Sequence, residues 1–198
     1  DSVTTITVDS TTGFTSTGTL LIGTEQITYT GTTSTTFTGC TRGVNNTSAA
    51  SHSDDAVVSQ TWTSIDSGRT NAGKFSFKRY NFAGTSKLIF VDGVNRASFY
   101  NGSSVTDITH SDAPSAPSIV EIFKNHVFLS GHSASPNQVF FSAPFSENDF
   151  SSGNGGGSIS VDDTVVALKT FRDQLYVFGR EKIFKITGNT LSDFVLQP

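Results

Sequence analysis

The sequence predicts an all-β protein, and three observations carry that reading. First, one short pattern occurs twice, as Ser118-Ile-Val-Glu-Ile-Phe-Lys-Asn-His-Val-Phe-Leu-Ser-Gly131 and as Val165-Val-Ala-Leu-Lys-Thr-Phe-Arg-Asp-Gln-Leu-Tyr-Val-Phe-Gly179. Each copy reads as a strand, a tight polar turn and a second strand. Each is followed by a third apolar stretch, Asn137-Gln-Val-Phe-Phe-Ser142 or Glu181-Lys-Ile-Phe-Lys-Ile-Thr187. Second, a looser copy precedes them, with strands at Phe75–Tyr80, Lys87–Val91 and Ala97–Tyr100. Its strand restart at Leu88 lines up with Val127 and Leu175, a spacing of about 40–50 residues, which is the range of blade-type β repeats. Third, no stretch of ten or more residues has helical periodicity, whereas period-2 alternation recurs throughout.

Residues 1–58 read as a small Thr-rich β module. Thr4-Thr-Ile-Thr-Val8 alternates polar and apolar side chains, and threonine, being β-branched, favours the pleated state even when exposed. Thr12-Gly13-Phe14 and Thr17-Gly18 are turn signals. Thr19-Leu-Leu-Ile22 and Glu25-Gln-Ile-Thr-Tyr-Thr30, joined by Gly23-Thr24, form a predicted hairpin that pairs Leu20 and Ile22 with Ile27 and Tyr29. A short strand at Thr35–Thr38 leads to Gly39–Gly43. Residues 59–73 read as a linker or leading strand, with Trp62 expected in packing. Residues 74–198 hold three repeats, at about 74–112, 118–150 and 159–198, separated by Asp112-Ala-Pro-Ser-Ala-Pro117 and Ser151-Ser-Gly-Asn-Gly-Gly-Gly157. Within the first repeat Asn81–Ser86 reads as an expanded turn. Such units are expected to be antiparallel blades of a β-propeller. A closed propeller needs at least about four, so the three are expected to be an incomplete arc. The chain has no methionine, so Asp1 is not expected to be a translation start.

Composition excludes several functions. The net charge is −4 over 198 residues, without the clustered Lys and Arg of a nucleic-acid surface. There is no apolar run of about 18 residues for a membrane span. The single Cys40 cannot form an internal disulfide and is expected to be a small packed residue. Exposed positions are filled by Thr, Ser, Gly and Asn rather than by ions, a surface suited to packing in an assembly.

No catalytic, cofactor or metal motif is present. His52, His110, His126 and His132 lack zinc-site spacing, and His126 is expected in a turn because the sister repeat has Gln174 there. Asp162-Asp163 and the Glu147/Asp149 pair read as loop carboxylates rather than a cation site. The Gly153–Gly157 run lacks the Lys-Ser/Thr of a phosphate loop and reads as a flexible connection. Asn45 and Asn101 begin sequon-like triplets that read as turns. The strand phenylalanines, among them Phe123, Phe128, Phe141, Phe171 and Phe184, read as core between packed sheets.

Two sets of residues resemble a known family. Gly13-Phe14, Thr17-Gly18, Ile22-Gly-Thr-Glu-Gln-Ile-Thr-Tyr29, Phe37-Thr-Gly-Cys-Thr-Arg-Gly43, Ala49, His52 and Val57-Val58 resemble a small module of tailed-bacteriophage virion proteins. Phe171-Arg-Asp-Gln-Leu-Tyr-Val-Phe-Gly179, Ile183-Phe-Lys-Ile-Thr-Gly188 and Ser146-Glu-Asn-Asp-Phe150 resemble phage tail proteins of the propeller-containing nozzle or tail-hub type. The resemblance implies an oligomeric structural component of the virion, located in the phage tail. It would be no enzyme, and its partners would be identical subunits and neighbouring tail proteins. Two alternatives stay open. A tail-fibre module that binds a host-surface glycan would expose an aromatic cluster around Trp62 and Tyr100. A propeller hydrolase would bring Asp92, Asp149 and Asp173 together.

Overall fold

The computed structural model describes residues 2–61, 64–71, 74–82 and 84–198. The expected packing role of Trp62 lies outside them. The described chain is all-β, with one three-residue 3₁₀ turn at Ser152–Asn154 as its helical element. No described helix is long and apolar enough to cross a membrane. Five antiparallel sheets form, and the described residues close neither a barrel nor a ring of sheets. The chain divides into two compact units, Asp1–Ser64 and Ile65–Pro198.

The first unit holds six strands: β1 (Thr5–Thr7), β2 (Gly18–Ile22), β3 (Glu25–Tyr29), β4 (Gly31–Thr32), β5 (Thr36–Thr38) and β6 (Val58–Gln60). They make two three-stranded sheets, ordered β1-β5-β4 and β3-β2-β6. The expected hairpin has Leu20 opposite Ile27 and Gly18 opposite Tyr29. Residues 58–60 pair with β2, so this strand belongs to the first unit rather than to a linker. Leu20, Ile22, Ile27, Tyr29, Phe37 and Cys40 form the core. Phe37 meets Phe14 and Tyr29 edge-on, with centroids 5.0 and 4.8 Å away.

The second unit contains three four-stranded meanders. The first is β7 (Ser76–Phe82), β8 (Thr85–Val91), β9 (Ser98–Tyr100) and β10 (Val105–Asp107). The second is β11 (Ile119–Phe123), β12 (His126–Ser130), β13 (Gln138–Phe141) and β14 (Gly157–Ser160). The third is β15 (Val165–Phe171), β16 (Gln174–Gly179), β17 (Ile183–Thr187) and β18 (Val195–Gln197). Within each sheet, strands consecutive in sequence are neighbours in space. Residues 157–160, at the expected start of the third repeat, pair with β13 and complete the second sheet. The expanded turn expected at Asn81–Ser86 is instead tight, because β7 and β8 pair as far as Phe82 with Thr85.

The three sheets stack on alternating faces. Tyr80, Phe82, Ile89 and Val91 of the first sheet pack with Val120, Val127 and Leu129 of the second. Phe123, Phe128, Val139 and Phe141, from the other face of the second sheet, pack with Leu168, Leu175, Val177 and Ile186 of the third. Every residue of β12 is therefore buried. Fully burying one such side chain stabilises the fold by about 1.5–3 kcal/mol. First strands are neighbours: Lys78 of β7 pairs with Glu121 of β11 at 2.8 Å, and Thr170 of β15 donates to the Ile122 carbonyl of β11 at 2.8 Å.

The repeated Phe–basic–polar turn has a definite backbone. Lys124 and Asn125 have φ of 48° and 63°, and Arg172 and Asp173 have φ of 46° and 63°. Two consecutive left-handed residues make a type I′ turn, whose twist matches that of the flanking strands. Left-handed backbone disfavours non-glycine residues, and the strand register on both sides holds it in place. The two turns are joined by Lys124 Nζ to Asp173 Oδ1 at 2.5 Å. Replacing Arg172 with Val, a β-branched residue poorly suited to φ > 0, is expected to destabilise the second unit by about 1–2 kcal/mol in urea unfolding.

Candidate functional site

The densest polar site lies in the first unit and centres on Glu25. In the first 60 residues this is the only Glu, and Arg42 is the only Lys or Arg. Glu25 opens β3 after the Gly23-Thr24 turn, and its side chain is only 1% exposed. Arg42 binds it in bidentate fashion, Nε to Oε1 and Nη2 to Oε2, both at 2.7 Å. The Gly43 amide donates to Oε1 at 3.0 Å, and the Ala50 amide donates to Oε2 at 3.1 Å. His52 Nε2 lies 2.8 Å from Oε2. Arg42 Nη2 also donates to the Ala50 carbonyl. Gly43 has φ of 63°, and a Cβ there would lie 2.8 Å from the Ala49 amide nitrogen. Only glycine lets the loop come this close.

The Arg42 hydrogen bonds hold the Glu25 carboxyl far below the usual carboxylate range, against the opposing effect of burial. The amides of Ala50 and Gly43 and the His52 ring add to the lowering. With both oxygens surrounded by donors, this carboxylate is ionised and saturated. Its chemistry is structural: it ties β3, the Gly39–Gly43 turn and the 49–52 segment together. Residue reading missed this convergence. The available signal was a lone Glu, a lone Arg and a lone His in an ion-poor stretch, where a charge that becomes buried must find its partner.

The expected loop carboxylates of the second unit do turn work. Asp149 accepts from the Ser151 amide (2.9 Å) and hydroxyl (2.6 Å) and from Asn154 Nδ2 (2.6 Å), and the Ser151 bonds bring its pKa down to about 2. Glu147 pairs with Lys87. Asp162 pairs with Lys182 at 2.6 Å, while Asp163 accepts the amides of Glu181 and Lys182 at 2.7 and 2.9 Å. Among the described residues no group of three or more His, Cys, Asp or Glu is arranged to hold a metal ion. The Gly153–Gly157 run, expected as a flexible connection, is a built turn. A Cβ on Gly156 would lie 2.5 Å from the Phe150 carbonyl carbon, so the glycine is there for close approach.

The carboxylates of the hydrolase alternative occupy separate turns. Asp92 accepts the Val94 and Asn95 amides at 2.9 and 2.7 Å. Burial raises its pKa, but the Asn95 and Val94 hydrogen bonds outweigh that and the net shift is downward. Asp149 holds its own loop as described, and Asp173 meets Lys124. His126, expected in a turn, is instead the first residue of β12 with its ring fully buried. Nδ1 lies 2.5 Å from the Ser142 carbonyl, and the ring sits among Phe128, Phe141 and Phe194. The turn takes only Lys124 and Asn125, so the next side chain falls on the core face.

One pair has nucleophile–base geometry. Ser115 Oγ lies 3.0 Å from His132 Nε2, in a cleft of about 660 Å³ lined also by Ser111, Asp112, Ser135, Phe140 and Phe150. The nearby carboxylates flank the other histidine: His110 lies 4.0 Å from Asp112 and 3.7 Å from Asp149. The serine and the carboxylates thus serve different imidazoles, and no triad is assembled among the described residues. No known protein family, curated protein or solved structure matches the chain.

Replacing Glu25 with Gln leaves Arg42 buried beside an amide and is expected to cost about 3–5 kcal/mol. The depressed pKa also sets a pH dependence. The stabilisation is full above the ordinary glutamate value near 4.5 and is lost as pH falls below it. Protection factors for the Leu20 and Ile27 amides, corrected for the intrinsic exchange rate at each pH, are expected to fall with acid in the parent chain and to be low and less pH-dependent in Glu25→Gln.

Proposed function

We propose that this chain is a structural subunit of a tailed-bacteriophage tail, of the nozzle or hub type, and that it has no catalytic role. It works by packing against identical and neighbouring subunits, contributing to the tail conduit or its tip. In this reading the three meanders are blades of a β-propeller. The observation that carries the proposal is the unequal coverage of the stacked sheets. The second sheet is covered on both faces, whereas the first and third each have an outer face with exposed apolar side chains. Phe77 is 63% exposed on the first sheet; Phe171 and Ile183 are 57% and 58% exposed on the third. Scattered surface apolar residues need no explanation, but a row of them on one sheet face marks a contact surface. The resemblance of the first unit to a tailed-phage virion module adds a second support, because Glu25, Arg42 and His52, three positions of its pattern, converge on one carboxylate.

A saccharide-binding module is the second reading. The cleft at Ser115 favours it, since the hydroxyls of Ser111, Ser115, Ser135, Ser152 and Ser158 gather beside Phe140. Tyr100, where an exposed aromatic cluster was expected, is only partly exposed. Binding on a glycan array that is lost in Ser115→Trp would favour this second reading over the first.

The main proposal predicts self-association. Light scattering behind size-exclusion chromatography is expected to show a discrete oligomer whose population rises with concentration. Phe171→Asp with Ile183→Asp should return it to monomer while leaving the circular dichroism unchanged. A parent chain that stays monomeric at the highest attainable concentration, alone and with other tail proteins, would overturn the proposal.

A further inference from the structure

The core of the first unit is left unfinished along one line. Its partly covered members are Ile6, Val8, Phe14, Ala56 and Val58. All five line a single groove of about 690 Å³, with Ile22 and Phe37 at its floor. One wall is β1 and its continuation, from Thr5 to Ser10; the other is the approach to β6, from His52 to Val58. The first wall contains an edge strand and the second runs into one at Val58: among the described residues β1 pairs only with β5, and β6 only with β2. An edge strand presents one row of backbone donors and acceptors that can take another strand.

The groove is also charged in one sense. Asp9, Asp54 and Asp55 stand on it. Among the described residues that line it, the basic groups are Arg42 and His52, and both bond the buried Glu25 carboxylate. The excess charge facing an occupant is negative.

We propose that this groove binds an extended strand of a partner polypeptide, with alternate apolar side chains directed into the groove and Lys or Arg at its ends. The site therefore selects a β-forming, basic-ended segment. A strand satisfies both features of the walls: it adds to an open sheet edge through its backbone, and its period-2 side chains reach the partly covered Ile6, Val8, Ala56 and Val58. The wall from Thr5 to Ser10 accommodates a segment of about six residues at roughly 3.3 Å each. Cations at the ends meet Asp9, Asp54 and Asp55, so charge sets which strands are accepted. This inference stands independently of the tail assignment.

The test uses the full chain, isotopically labelled, and an end-blocked hexapeptide, Lys-Val-Thr-Val-Thr-Lys. Saturable amide shifts are expected at Thr5–Ser10 and Val57–Gln60. Three changes are each expected to weaken binding by about tenfold or more. These are glutamate in place of both peptide lysines, proline in place of the central threonine, and the charge-reversing pair Asp9→Lys with Asp54→Lys in the protein. Both of those aspartates are exposed, so the variant should fold as the parent does. The glutamate-ended peptide should bind the charge-reversed protein better than the parent. No saturation, shifts confined to other strands, or affinities indifferent to end charge and to proline would each overturn the proposal.

Discussion

Everything in the second unit depends on one constraint: a sheet with an apolar face must have that face covered. Three short meanders of about four strands each cannot satisfy it singly. Stacking satisfies it for the middle sheet on both faces, and β12 is buried along its whole length. Val127 and Leu129 turn one way to meet the first sheet; Phe128 turns the other way to meet the third. The period-2 geometry of a strand makes this possible. It also explains why the pattern Val-Phe-Leu reads as a continuous apolar run rather than an alternation. The end sheets obey the same constraint fully only on their inner faces: Arg69 lies over Phe90 on the outer face of the first, while Phe77, Phe171 and Ile183 stay exposed. The proposed assembly is the completion of that pattern by other subunits.

Much of this architecture was legible in the residues. The Lys124-Asn125 and Arg172-Asp173 turns could be placed because each lies between apolar runs. Asn and Asp also tolerate the left-handed backbone found there. What escaped the reading has a common cause. The strand Gly157–Ser160 has only one strongly apolar residue, Ile159, and is preceded by glycines, so nothing local marks it as the mate of β13. The burial of His126 is equally invisible: it follows a two-residue turn, and only the three-dimensional gathering of Phe141 and Phe194 makes its environment apolar. The tight β7–β8 hairpin was obscured because Asn81, Gly84 and Ser86 are residues that loops also favour.

In the first unit the organising interaction is ionic. A module with six buried apolar core residues has little apolar area to hold two loops against β3. The Glu25 carboxylate does so by accepting hydrogen bonds from Arg42, Gly43 and Ala50 and by contacting the His52 ring. Such a buried pair is costly to desolvate and more costly to break. Its value is specificity: it fixes where the 49–52 segment lies, and that segment leads into one wall of the groove. The residues of the family resemblance in this unit are thus residues of architecture. The reading of residue types alone pointed to their spacing but could not show that they share one carboxylate.

The central claim is that the stacked sheets are a portion of a larger stack, with the outer face of the third sheet made to be covered. An electron cryomicroscopy map of the assembled protein tests it most directly. The account predicts sheet density packed about 10 Å from the third sheet, over Phe171, Tyr176 and Ile183. A map in which that face borders solvent in the assembled particle would contradict it.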